Sequence, residues 1–169
     1  MKQYNREYNE NNVSSDFNEQ SIISPLDKLN PIFTPKIRLG ILASGNGSNF
    51  EYIIKSIQKK QLNAQICILI VNNPNCLAIN KAVKYNIPYV IINHGDCISR
   101  FEHDLLVMRK LEELSVELVV MAGWMRIVGD EIINKFKNRL INIHPSLLPS
   151  FKGIDAIQQA MDKKVTITG

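Results

Sequence analysis

The chain has 169 residues, of which 45% are hydrophobic, and this fits one domain of ordinary size with enough apolar side chains for a core. Its formal net charge of +4 is mild and its basic residues are scattered, which argues against a nucleic-acid-binding surface. No apolar run approaches the roughly 20 residues of a membrane span, so no membrane partner is expected.

The cysteines Cys67, Cys76 and Cys97 form no C-x-x-C pair, and the three histidines show no ligand spacing. Reduced thiols in a cytoplasmic protein are the simplest interpretation, and no metal site is expected.

Residues 1–35 are crowded with Asn, Ser, Glu, Gln and Lys. We expect a disordered polar tail, followed by one folded domain over residues 36–169. The tail has no apolar stretch typical of a secretory signal, and its acidic residues argue against an organelle transit peptide.

From residue 36 onward, apolar runs typical of strands alternate with helical patterns. The expected strands cover 37–43, 64–71, 88–92, 118–122 and 140–144, and a sixth strand-like stretch covers 165–168. Helices are expected from about 48, at 77–85, from 99 to 114, at 130–136 and at 155–161. This alternation predicts an α/β fold with a doubly wound, mostly parallel sheet.

Two helices carry start signals. Ser48 with Glu51 and Ser99 with Glu102 have the spacing of a capping box. An apolar stripe is expected to bury the longer helix, through Phe101, Leu105, Met108, Leu111 and Leu114.

Polar clusters follow three of the expected strands, at 44–49, 123–126 and 142–144. Because the carboxyl ends of parallel strands share one edge of a doubly wound sheet, we expect the three clusters to meet there.

The first cluster is a glycine-rich turn that opens a helix, an arrangement whose backbone N–H groups can bind an anion. The dinucleotide fingerprint fails because Phe50 occupies the third glycine position, and no Gly-Lys-Ser/Thr forms a P-loop. The cluster fits a single phosphate group. The alternative is a tight turn without a ligand.

In the second cluster, Gly123 would let a ligand approach the backbone, Trp124 and Met125 could wall an apolar slot, and Arg126 could pair with a carboxylate. The alternative, a core tryptophan and a solvent-facing arginine, stays open.

In the third cluster, Asn142 and His144 are two apart on a strand that Pro145 ends, so both side chains are expected on one face. An amide can donate to a developing oxyanion, and an imidazole can move a proton near neutral pH. The alternative is a polar strand end satisfied by backbone groups.

With these residues in view, the chain resembles the phosphoribosylglycinamide formyltransferase family, which has a Rossmann-like fold. The likeness runs from about Ile37 to Gly169. Three stretches carry it: 44–49 resembles the substrate-phosphate loop, 122–128 the folate-binding loop and 142–149 the catalytic signature.

The resemblance implies transfer of a formyl group from the co-substrate 10-formyltetrahydrofolate to the amine of glycinamide ribonucleotide, in purine biosynthesis. It implies His144 as the acid/base and Asn142 as the residue that holds the formyl oxygen. The implied substrate-binding residues are Gly47, Ser48, Asn49, Phe50 and Glu51. The implied folate-binding residues are Arg100, Met125, Arg126, Ile127, Val128 and Asn142.

One departure is serious. The family's aspartate partner of the histidine lies in a segment beyond the stretch that begins at Val165, and Asp155 does not occupy that position. We therefore expect the C-terminal part of the domain to be missing, and residues 1–169 alone to fold poorly and have little activity.

Three alternatives remain open. Formyltetrahydrofolate hydrolase would use water in place of the amine, but its N-terminal regulatory domain finds no match in residues 1–35. Methionyl-tRNA formyltransferase should lack the glycine-rich loop found here and carry a tRNA-binding domain. An inactive remnant that binds folate or phosphate is the non-enzyme alternative.

Overall fold

The computed structural model describes residues 35–153 and 155–169. The predicted disordered tail lies outside the described residues, apart from Pro35. No helix in the described part of the chain combines the length and apolar character needed to cross a membrane.

The described residues form a parallel sheet with helices between its strands. The strands are β1 (Ile37–Ala43), β2 (Ala64–Val71), β3 (Tyr89–Ile91), β4 (Leu118–Met121) and β5 (Leu140–Asn142). The α-helices are α1 (Ser48–Gln58), α2 (Ala78–Lys84), α3 (Arg100–Glu113), α4 (Asp130–Lys135) and α5 (Ala156–Asp162). A short 3₁₀ helix, His94–Asp96, precedes α3.

The strand order is β3-β2-β1-β4-β5, and every neighbouring pair is parallel. The predicted doubly wound α/β fold is confirmed. The chain builds the sheet outward from β1 to β3 and then returns to place β4 on the other side of β1. The order therefore reverses between β1 and β4, where open α/β sheets bind their ligands.

The central strands β1 and β2 are buried on both faces, as their unbroken apolar runs predict, whereas the edge strands β3 and β5 are partly exposed. Successive residues of β1 point to opposite faces: Ile41 packs in the cluster under α1 and α2, and Leu42 in the cluster under α3 and α4. Neither side chain is exposed to solvent. This burial fixes the register of the central strand, since a slip of one residue would exchange the two faces.

Two predictions about strands are wrong. β5 ends at Asn142, two residues before the expected His144. Residues 165–168 form no strand, because the N–H of Val165 donates to Ala160 O at the end of α5, 3.2 Å away, and not to a sheet ladder. Lys164, with a φ of 53°, makes the turn that allows this bond. The β-branched residues that follow lack a strand to pair with in the described part of the chain.

One of the two predicted capping boxes forms in part. Ser99 caps α3, and its hydroxyl accepts from the N–H of Glu102 at 3.2 Å. The carboxylate of Glu102 accepts from the N–H of Ile98 at 2.7 Å and not from that of Ser99. At α1 the prediction is wrong, because Gly47 takes the N-cap position with a φ of 67° and Ser48 is already inside the helix. No side chain caps α1, so its first N–H groups keep their hydrogen-bonding capacity.

The buried face of α3 differs from the predicted stripe in its first turns. His103, Asp104, Val107 and Leu111 are buried, whereas Phe101 is 54% exposed. Two polar residues thus take the inward positions expected for apolar ones, and their partners come from distant segments described below.

Glu51 ties α1 to α2. Its carboxylate accepts from Lys81 Nζ at 2.8 Å and from Tyr85 Oη at 3.0 Å, and Lys55 Nζ lies 3.2 Å away on the same helix. The hydrogen bond from Lys81 is the largest cause that lowers the pKa of Glu51, from 4.5 to about 2. The carboxylate therefore stays charged over most of the acid range.

Replacing Glu51 with Gln tests this link. Because the folded pKa lies below the ordinary value of 4.5, the charge of Glu51 stabilises the fold fully above pH 4.5, and this contribution is lost as the pH falls through about 2. Glu51→Gln should lower the free energy of unfolding in urea at neutral pH, and the difference from the unaltered chain should shrink below pH 4.5. The same substitution in a Lys81→Met background should cost less. A difference that stays constant at all pH values would contradict the assignment.

Candidate active site

The glycine-rich loop at 44–49 is tied to the loop that follows β4. The N–H of Ser44 donates to Gly123 O at 3.1 Å, and the N–H of Met125 donates to Ser44 Oγ at 2.9 Å. These bonds join the first and second polar clusters at the reversal of strand order, as the sequence predicts.

Close packing holds the loop against α2. The N–H of Ala78 donates to Gly45 O at 3.1 Å. A Cβ atom on Gly47 would lie 2.6 Å from the Cβ of Ala78, so any side chain at this position would clash. Because the left-handed backbone of Gly47 also disfavours other residues, only glycine fits here.

The loop presents the uncapped start of α1 to solvent. Ser48 and Asn49 are exposed, and free N–H groups at a helix N-terminus attract anions.

The structure places the five predicted substrate-binding residues unequally: Gly47, Ser48 and Asn49 lie at this helix start, but the side chain of Phe50 is fully buried in the core. The carboxylate of Glu51 already accepts hydrogen bonds from Lys81 and Tyr85, at the end of α2. Phe50 can contribute only its backbone, and the substrate-contact role of the Glu51 side chain has no support in this arrangement.

A cavity of about 190 Å³ brings the first and third polar clusters together. Asn49 and Asn142 line it along with mostly apolar residues: Tyr52, Ile53, Val120, Met121, Ala122, Ile141 and Ile143. Asn142 lies at the carboxyl end of β5, level with Met121 on β4. The amide is thus positioned at the edge of the sheet where the glycine-rich loop lies.

His144 lies just beyond β5, in a segment folded back on itself. Its Nε2 lies 3.0 Å from Phe151 O, and since a carbonyl oxygen only accepts, this contact requires the proton on Nε2. Ser146 supports the turn, because its N–H donates to His144 O and its hydroxyl donates to Ser150 O at 2.6 Å. Within the described residues no carboxylate contacts His144. In this tautomer Nδ1 is the ring nitrogen that can accept a proton.

A second, open cleft of about 490 Å³ lies between the start of α3 and the segment at 127–131. Three of the predicted folate-binding residues line it: Arg100, Ile127 and Val128. Asp130 and Glu131 add carboxylates to the same lining, whereas Asp104, which also borders the cleft, is buried and its carboxylate accepts from the N–H of Gly129. The other two residues predicted from the second cluster, Met125 and Arg126, are not part of this lining, although both belong to the segment that leads into it.

The position of Trp124 decides between the two interpretations of this residue, a core tryptophan or the wall of an apolar slot. It is 7% exposed, belongs to the core under α3 and stacks on His103 with ring centroids 5.9 Å apart. It is therefore a core tryptophan and not the wall of a slot. Met125, by contrast, is 73% exposed. Arg126 is partly exposed, and neither Arg126 nor Arg100 has a hydrogen-bond or ionic partner among the residues that the structure describes.

Sequence reasoning missed the buried pair His103 and Asp104. Asp104 Oδ2 accepts from the N–H of Gly129 at 2.7 Å, and His103 Nε2 lies 3.0 Å from Ile92 O. Two features of the sequence could have indicated this pair. His103 and Asp104 come one turn after the helix cap at Ser99, and helical spacing places them on the side of the helix that also carries Val107 and Leu111.

Comparison with known proteins agrees with this architecture. The family model described as "Formyl transferase" matches residues 37–169. Over 134 residues the chain is 42% identical to the human trifunctional purine biosynthetic protein adenosine-3, covering 79% of this chain and 13% of that protein. It is 34% identical over 132 residues to phosphoribosylglycinamide formyltransferase of Bacillus subtilis, covering 78% of this chain and 68% of that one.

Solved structures give the same result. The crystal structure of phosphoribosylglycinamide formyltransferase from Bacillus halodurans matches with a TM-score of 0.75 and 36% identity, covering 78% of this chain and 68% of that one. Glycinamide ribonucleotide transformylase 1 from Geobacillus kaustophilus matches with a TM-score of 0.76 and 33% identity, covering 79% and 71%. The chain spans about two thirds of these single-function relatives and a small part of the trifunctional ones. Since the family model covers nearly all of the described residues and the fold agrees, the chain belongs to the formyl transferase family.

Proposed function

We propose that this chain carries the machinery for transferring a formyl group from 10-formyltetrahydrofolate to the amine of 5-phosphoribosylglycinamide, a step of de novo purine biosynthesis in the cytoplasm. One observation carries the proposal: Asn49 of the glycine-rich loop and Asn142 of β5 line a single cavity at the carboxyl ends of β4 and β5, and β4 is the strand that pairs with β1 where the strand order reverses. A phosphate-binding loop and an oxyanion donor at one cavity are what this reaction needs.

The uncapped start of α1 would hold the phosphate of the nucleotide substrate. Its free N–H groups lie next to Gly47, whose lack of a side chain keeps the loop packed on α2. Binding of a phosphate there uses hydrogen bonds and the positive end of the helix dipole, and needs no basic side chain.

The open cleft at α3 fits the formyl donor. Folate carries an aminopyrimidinone ring with N–H donors at one end and a glutamate with carboxylates at the other. The cleft offers the carboxylates of Asp130 and Glu131, an apolar wall at Ile127 and Val128, and the cation of Arg100, which has no partner among the described residues. Arg126, likewise without a partner in the part of the chain that the structure describes, supplies a second cation on the adjoining segment.

The chemistry can then be assigned to residues. The substrate amine attacks the formyl carbon, a new C–N bond forms, and the carbonyl oxygen gains negative charge. The amide N–H of Asn142 would donate to that oxygen and lower the barrier. As the bond from the formyl carbon to N10 breaks, the amine loses a proton and N10 gains one. His144 would relay this proton through Nδ1, with its ring held by the bond from Nε2 to Phe151 O.

A second candidate is binding without turnover, in an inactive remnant. It is favoured by one observation: the partner of His144 within the described residues is a carbonyl oxygen and not a carboxylate. A carbonyl orients the ring but does not stabilise its charged form as an ionised carboxylate does.

Replacing His144 with Ala separates these functions. If His144 relays the proton, Ala should reduce formyl transfer about 10²- to 10⁴-fold while the affinity for a folate analogue stays within a factor of a few. Formylation of 5-phosphoribosylglycinamide and calorimetric binding would be measured side by side. His94→Ala serves as the control, because His94 contacts Asn72 at the opposite part of the sheet. Binding of both ligands without turnover by the unaltered chain would support the remnant instead.

Gly47→Ala tests the phosphate loop, with Gly45→Ala as a matched control in the same turn. Alanine at Gly47 meets Ala78 and a left-handed backbone, whereas a Cβ at Gly45 has no atom within 4 Å. Gly47→Ala should lower the free energy of unfolding by at least the roughly 1–2 kcal/mol cost of the left-handed conformation and abolish calorimetric binding of ribose 5-phosphate. Gly45→Ala should retain both the free energy of unfolding and the binding of ribose 5-phosphate. Equal loss of binding in the two variants would contradict this role for Gly47.

A further inference from the structure

The buried pair His103 and Asp104 has no part in the mechanism above. Both side chains lie on α3 and are almost fully buried, at 1% and 2% exposure. Burying charged or polar groups is costly unless specific partners compensate. Each of these two residues has a partner on the segment that runs from Trp124 to Gly129, which leads from β4 to α4.

The two contacts hold the segment at both ends. The ring of His103 stacks on Trp124, with the two planes 25° apart, and Asp104 Oδ2 accepts from the N–H of Gly129 at 2.7 Å. Between these points lie Ile127 and Val128, which line the open cleft. The middle of the segment is thus exposed to a ligand while its ends are fixed to α3.

The pair is itself fixed from the other side. His103 Nε2 lies 3.0 Å from Ile92 O, just after β3, and His103 Nδ1 lies 3.5 Å from Asp104 Oδ1. The approach at Gly129 is close, because an added Cβ would lie 2.8 Å from both Asp104 Oδ2 and Glu131 Oε2. The position of α3 relative to the sheet therefore determines where the segment lies.

We propose that His103 and Asp104 are positioning residues for the folate cleft. They hold the 124–129 segment so that the backbone and side chains at 127–128 keep the spacing from Arg100 that the formyl donor requires. The proposal rests on the function proposed above for this cleft, and it adds two residues that act through the segment without touching the reacting atoms.

Asp104→Ala and Asp104→Asn make the main comparison. Asparagine keeps an oxygen that can accept from Gly129 N–H, and its NH₂ group can donate to His103 Nδ1, whereas alanine can do neither. Leu111→Ala is the control: Leu111 is buried on the same helix but offers the segment no hydrogen bond. It reports what a loss of core packing does by itself.

The first measurement is hydrogen exchange of the amides at 124–129. Asp104→Ala should speed their exchange at least tenfold more than Leu111→Ala does, and Asp104→Asn should restore slow exchange. Trp124 is the sole tryptophan of the chain, so its emission should shift to longer wavelength in Asp104→Ala and not in Asp104→Asn. Equal exchange rates in the alanine variants at positions 104 and 111 would overturn the proposal.

The second measurement is calorimetric binding of two probes, 5-formyltetrahydrofolate and ribose 5-phosphate. Asp104→Ala should weaken folate binding about tenfold and leave phosphate binding unchanged, a split that general destabilisation would not produce. Loss of both affinities together would overturn the proposal. If the unaltered chain binds no folate, the proposed function fails, and the exchange rates alone still decide whether the pair positions the segment.

Discussion

The parallel pairing of β1 with β4 is the constraint on which the rest of the site depends. It places Leu42 beside Met121, so the turns that follow these two strands emerge next to each other. The bonds from Ser44 to the backbone at 123 and 125 can form only because of this register. A slip of the pairing by one residue would break them and would also turn the buried side chains of β1 to the wrong face.

A cavity and a separate cleft lie at this one edge of the sheet. The cavity at Asn49 and Asn142 opens on the side of α1, and the cleft at Arg100 opens on the side of α3. The segment after β4 connects them, because it bonds to Ser44 at its start and to Asp104 at its end. In a transfer reaction between two bound molecules, such a connection lets one rigid element set the distance between donor and acceptor.

The sheet could be predicted from the sequence because its central strands, β1 and β2, are unbroken apolar runs between turn signals, a pattern that burial on both faces imposes. The end of β5 and the conformation of residues 165–168 could not be predicted from the sequence. A segment becomes a strand only where another strand pairs with it. Their β-branched residues favour an extended chain, but the backbone of Val165 bonds to α5 instead.

The candidate site, like the sheet, could be predicted only where local sequence patterns encode it. Glycines, Asn142 and His144 stand out locally, and the family resemblance that they carry is confirmed. The roles of Glu51, Asp104 and Trp124 depend on partners 25 or more residues away or on a ring stack across the core, and no local pattern encodes such contacts. The exposed Phe101 shows the same limit, since polar residues with suitable partners displaced it from the inward face of α3.

The missing side-chain cap of α1 has a consequence for the thermodynamics of the whole chain. A helix with glycine at its N-cap gives up the stabilisation that a Ser, Thr or Asp side chain there would provide, about a few tenths of a kcal/mol. An anion that binds these groups restores that stabilisation from outside and stabilises only the folded state. An anion at the start of α1 would therefore raise the free energy of unfolding, and the stability of the fold would depend on the concentration of that anion.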